Sequence, residues 1–132
     1  MCAAAKQIDQ RCEGSSQNKA TIEGIIDLAI KEANEAFEAS GIATKLRLVK
    51  LHYDDQYDDT KEEWPTVFAQ FTGTGDGNLD YIHAMRDQYG ADFASIFVNT
   101  RGFCGSAHLP SQPSPDRAFS MVRWDCATGK FL

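Results

Sequence analysis

At 132 residues, with 42% hydrophobic and 24% charged residues, the chain has the size and composition of one globular domain. Its formal charge of −6 is concentrated in Asp54-Asp55-Gln56-Tyr57-Asp58-Asp59 and Glu62-Glu63, which argues against a phosphate-backbone partner. No apolar run approaches the roughly 20 residues of a membrane span, and Met1-Cys2-Ala3-Ala4-Ala5-Lys6 lacks the apolar core of a secretory signal. Nucleic acid and membrane are therefore set aside as partners, and the compartment stays open.

Residues 1–17 read as an irregular polar segment with Gly14-Ser15-Ser16 as its joint. A helix is predicted from Asn18, an N-cap residue, to Ser40. Ile22, Ile25, Ile26, Ala29, Ala33, Ala36 and Phe37 recur at spacings of three and four, while Glu23, Lys31, Glu32, Glu35 and Glu38 fall largely opposite. Gly41 stands where a left-handed residue would end it. A strand is predicted for Thr44 to Tyr53 from its alternation. The acidic run that follows lacks the glycine turn and closing glutamate of a calcium loop and reads as a solvated loop.

Val67 to Phe71 forms a short helical or irregular piece after Trp64-Pro65-Thr66, ended by Gly73-Thr74-Gly75. A second main helix is predicted to start at Asp76 as cap, to carry Leu79, Ile82, Met85 and Tyr89, and to stop at Gly90. The run Gly73 to Gly77 lacks a Walker ending, so turn plus cap is the reading. Asp92-Phe93-Ala94-Ser95-Ile96-Phe97-Val98 is apolar on both faces, which predicts a central strand covered on both sides. Ala118 to Trp124 is the last predicted strand. Helix and strand in this order imply an α/β domain over residues 18–132, with a mixed, mostly parallel sheet of about four strands and two main helices.

His52, His83 and His108 are isolated, with no His-x-x-x-His pair, and no nucleophile elbow is present. No catalytic residue and no metal ligand can therefore be named. Cys2, Cys12, Cys104 and Cys126 contain no Cys-x-x-Cys and leave three disulfide pairings open.

Several segments in order carry a resemblance. They are Ile25-Ile26-Asp27-Leu28-Ala29-Ile30 with Asn34-Glu35-Ala36, Leu46-Arg47-Leu48-Val49, Ala84-Met85-Arg86-Asp87-Gln88-Tyr89-Gly90-Ala91-Asp92, Phe103-Cys104-Gly105-Ser106-Ala107, and Asp125-Cys126-Ala127-Thr128-Gly129. Over residues 20 to 132 the chain resembles the reprolysin-like metzincin zinc metallopeptidases, the group that includes peptidyl-aspartate metalloendopeptidases. The resemblance implies a zincin-like N-terminal subdomain, an incomplete metzincin-like domain and a Cys104–Cys126 pair. It also implies a zinc cofactor, but the family's zinc helix would come after Gly129, and Lys130-Phe131-Leu132 arrive before it. No cofactor is therefore expected here. The first apolar strand of such domains is not matched by residues 1–17 either. The family is usually secreted.

Three functions follow in order of preference. The first is a catalytically inactive, truncated relative acting as scaffold or binding protein. The second is a peptide-binding module with Ser106, Ala107, His108 and Leu109 as its edge. The third is a peptidase portion completed by a partner chain that carries the zinc helix. A sheet lacking its first strand keeps an open edge, so a homodimer is expected, with residues 92–98 and 118–124 near its contact.

Overall fold

The computed structural model describes residues 15–109 and 111–129, without the side chains of residues 15–20. The expectation for the start of the chain therefore lies, over residues 1–14, outside the described residues. In chain order the elements are helix α1 (Ser15–Ala39), α2 (Trp64–Thr72), α3 (Tyr81–Gln88), and strands β1 (Ala94–Val98), β2 (Gly105–Ala107) and β3 (Phe119–Arg123). Short 3-10 turns occupy Asp59–Lys61, Pro115–Arg117 and Trp124–Cys126.

Helix α1 starts before Asn18, so the residue expected as its cap lies inside it. Its apolar stripe buries Ile22 and Ile26, with Ile25, Ala29 and Ile30 packed beside them. Gly41 ends it at φ +70°, and the Ile42 N–H reaches back to the Phe37 carbonyl at 2.8 Å, a closure that a left-handed residue permits.

The segment expected as a strand, Thr44 to Tyr53, is not one. A strand exists only through ladder bonds to a neighbour, and none of residues 44–53 takes part in a ladder. The side chain of Asn34 takes the place of a partner at Leu46: it accepts the Leu46 N–H at 2.7 Å and donates to the Leu46 carbonyl at 3.0 Å. Leu48, Leu51 and Tyr53 still pack on the core. Among the described residues the sheet accordingly has three strands rather than four.

Two further corrections concern the helices. Trp64 to Thr72 is a full helix, started by Pro65 and held by Trp64, Val67 and Phe71, which share one buried face. Helix α3 starts at Tyr81 and not at Asp76, because the preceding carboxylates are used in the loop. Asp76 accepts the Asn78 N–H at 2.8 Å, and Asp80 accepts those of Gly75 and Gly77 at 2.8 and 2.9 Å. Leu79 is left at φ +56° and the helix begins only beyond it.

The sheet order is β1-β3-β2. β1 runs parallel to β3 in the register Ala94↔Phe119 to Val98↔Arg123, and β2 runs antiparallel to β3. Among the described residues the central strand is thus β3, and β1 is an edge by hydrogen bonding. All five residues of β1 are nevertheless buried, Ile96 at 3% and Val98 at 0% exposure. Burial on both faces reports the layers above and below a strand, not its neighbours in the sheet. On one face Phe119 of β3 meets Phe71 of α2 at 5.3 Å, and His83 and Arg86 of α3 at 4.6 and 5.1 Å. On the other, Ser120 donates to Ser95 at 2.9 Å.

Candidate functional site

The exposed rim of this sheet is β2, three residues long. The Arg123 N–H donates to the Cys104 carbonyl at 2.9 Å, which sets the ladder phase. Alternation then turns the backbone groups of Gly105 and Ala107 outward, away from β3, where no strand stands among the described residues. Ser106 faces α2 instead, its hydroxyl accepting the Trp64 indole N–H at 2.8 Å. His108 packs at a tilt against Phe68 of α2, ring centroids 5.0 Å apart, and Leu109 is 95% exposed. The four residues Ser106, Ala107, His108 and Leu109 therefore divide: two are tied to α2, and two look outward.

The chain ahead of β2 is pinned as firmly. Cys104 is bonded to Cys126, with 5.5 Å between their Cα atoms. The loop so closed, 22 residues in separation, is worth about 3 kcal/mol in the chain-entropy view. Gly102, at φ +151°, packs so closely on Trp64 that an added Cβ would stand 2.7 Å from the Trp64 Cβ. Phe103, 67% exposed, meets the Trp64 ring edge-on at 6.2 Å. A cleft of about 600 Å³ opens here, lined by Glu62, Glu63, Trp64, Pro65, Arg101 and Phe103 among others.

The acidic run is less solvated than its composition implies. Asp54 accepts the N–H groups of Gln56 and Tyr57, and Asp58 accepts the Thr60 N–H and hydroxyl. Asp59 is fully buried, and its Oδ2 accepts the Asn99 N–H just past β1. That bond caps one outward-facing amide of the β1 edge. Burial pushes the Asp59 carboxyl above the usual carboxylate range, against the pull of the Asn99 amide. Its Oδ1 has no hydrogen-bond partner among the described residues. Tyr57, which donates to Gln70 at 2.6 Å, is also raised well above its usual range, by burial first and then by Asp59. Spacing gave no sign that one aspartate of the run would be internal.

A zinc site is what the family chemistry calls for, and these residues do not fit one. His83 Nε2 lies 2.9 Å from the Thr72 carbonyl, to which it donates. His52 stands edge-on to Tyr81 at 5.4 Å, and His108 lies on Phe68. Each ring is held by a different aromatic partner. Among the described residues no three His, Cys, Asp or Glu side chains converge as a metal set.

The fold is an α/β unit with an antiparallel edge strand, β2, beside the parallel pair β1 and β3. The family model of the reprolysin-like metallopeptidases of family M12B matches residues 25–131. The chain belongs to that family. A peptidyl-Asp metalloendopeptidase of Stenotrophomonas maltophilia is 32% identical over 111 residues, covering 83% of this chain and 26% of that protein. One of Xanthomonas campestris pv. campestris is 33% identical over 110 residues, with the same coverage. The chain thus spans about a quarter of the length of the curated relatives it matches. No solved structure matches it significantly.

Proposed function

We propose that this chain is a catalytically inactive relative of the zinc metalloendopeptidases that holds an extended peptide along the outer edge of β2. The observation that carries this reading is the edge itself. Gly105 and Ala107 offer backbone donors and acceptors on a strand fixed from behind by Trp64 and the disulfide. A peptide added there pairs through its main chain, and the cleft by Glu62, Arg101 and Phe103 receives a side chain. The scattered histidines support the absence of hydrolysis, because no zinc-bound water of lowered pKa can form on them.

The relatives' name supplies the first probe, a capped octapeptide with a central aspartate. Titrated in metal-free buffer and followed by the fluorescence of a Trp124→Phe variant, in which Trp64 is the single tryptophan, it should bind saturably and be recovered intact. No binding would overturn the reading. Cleavage once zinc is added would overturn the inactive reading, whereas cleavage only after a second chain carrying zinc ligands is supplied would replace it with that of a peptidase portion completed by a partner.

The assembly we propose is a symmetric homodimer. The five residues of β1 are buried within the single chain, so its outer side is closed to a partner, and the support is instead the outer side of β2, where Gly105 and Ala107 are exposed and meet no strand among the described residues. Light scattering at micromolar concentration should give twice the chain mass, and a monodisperse monomer would remove the idea.

A further inference from the structure

We infer that the Cys104–Cys126 disulfide is a reducible clasp on the β2 edge, opened by attack of a dithiol on Cys104 with Cys126 leaving as a thiolate held by Arg123. The two sulfurs stand in unequal surroundings. Cys104 is exposed in the turn immediately before β2, whereas Cys126 is half-buried in the turn after β3. Arg123 Nη2 lies 3.3 Å from the Cys126 sulfur and donates to it. The same guanidinium is oriented by Asp125, whose Oδ1 accepts its Nε–H at 2.6 Å. A guanidinium keeps its charge at every relevant pH, so it favours negative charge on that sulfur.

Thiol–disulfide exchange goes faster when the departing sulfur is the better thiolate and the attacked sulfur is the accessible one. Both conditions select the same direction. The attacking thiolate forms a bond to Cys104 Sγ, the Cys104–Cys126 bond breaks, and its electron pair goes to Cys126 Sγ beside Arg123. The second thiolate of the reductant then attacks the reductant sulfur of the mixed disulfide and expels Cys104. Two electrons and two protons pass to the protein, and the dithiol becomes a cyclic disulfide.

Opening the clasp acts on the edge rather than on the core. Strand β2 has only three residues, two of them exposed, and its remaining ties are the ladder to β3 and the Trp64–Ser106 bond. Strand β1 is fully buried and carries neither cysteine, so it gains nothing from the disulfide directly. Reduction therefore loosens the stretch from Gly102 to Leu109 while the rest stays folded. The consequence for peptide capture rests on the function proposed above; the clasp does not.

The test treats the intact chain with 2-mercaptoethanol, traps released thiols with iodoacetamide and maps them by mass. Cys126 should carry the alkyl label and Cys104 the mixed disulfide, in a ratio of about five to one or more. Dithiothreitol should reduce the Arg123→Gln variant about five-fold more slowly than the wild type, with Arg123→Lys restoring most of the rate. Hydrogen exchange over residues 102–109 should then rise about ten-fold on reduction, with residues 94–98 unchanged. Label on Cys104, equal rates in the three proteins, or exchange rising throughout the core would each overturn the clasp. If the clasp opens in this way while the octapeptide binds neither form, the clasp stands and the peptide reading falls.

Discussion

At the scale of single residues, buried Asp59 shows how one side chain can serve a structural bond and oppose folding at once. Its bond to the Asn99 amide satisfies a donor that β1 would otherwise leave bare, and the burial that permits this disfavours the charged carboxylate. An unfolded aspartate titrates at about 3.9. Because the folded value lies above it, the folded state binds the proton more tightly, so this contribution to stability is full at low pH and is lost as pH rises through the folded value. Asp58 and Asp80 act with the opposite sign. The Thr60 hydroxyl holds the first below its usual range and the Gly77 amide the second, so their contributions are lost as pH falls. Urea unfolding from about pH 4 to about pH 7 should show Asp59→Asn gaining on the wild type as pH rises. A constant offset would contradict the assignment. Asp59→Ala, which removes the acceptor of Asn99, should cost about 1–3 kcal/mol at neutral pH. Nothing in the run Asp54 to Asp59 distinguishes its last residue, since burial there comes from the return of the chain past β1.

At the scale of elements, what could be read depended on whether the signal was local. Helix α1 was legible because a 3.6-residue stripe and a terminal glycine act within the helix itself. The stretch Thr44 to Tyr53 has a strand's alternation and packs its leucines inward, yet pairing needs a neighbour that no spacing can reveal. The same holds for β1, whose apolar faces foretold its cover and not its place at the edge. The exposed rim at Ser106 to Leu109 was named from resemblance; that Trp64 and Gly102 hold it in place was not visible, because those contacts span about 40 residues of sequence. Two substitutions check the element contacts. Gly102→Ala should destabilise by more than about 1 kcal/mol, since its Cβ would overlap the Trp64 side chain, and chemical denaturation measures it. Asn34→Ala should speed amide exchange at Leu46 and leave Ile96 unchanged; equal protection at Leu46 would mean the clamp carries nothing.

At the scale of the whole molecule, membership of the reprolysin-like family was legible from an ordered series of short motifs, and the fold class followed with it. A zinc peptidase needs three ligands on one centre, and His52, His83 and His108 sit against three separate aromatic partners. Protein equilibrated with zinc and then dialysed should hold far less than one ion per chain by elemental analysis, and one tightly held ion would point to ligands that the described residues do not assemble. Amide-resolved NMR during titration with the capped aspartate octapeptide tests most directly whether a peptide is held on β2 without hydrolysis. Saturable shifts are expected at Gly105 and Ala107, the outward-facing amides, with small effects at Ser95 and Phe97 and an intact peptide at the end. Unchanged Gly105 and Ala107 resonances at saturating peptide, or a cleaved peptide, would contradict capture without hydrolysis.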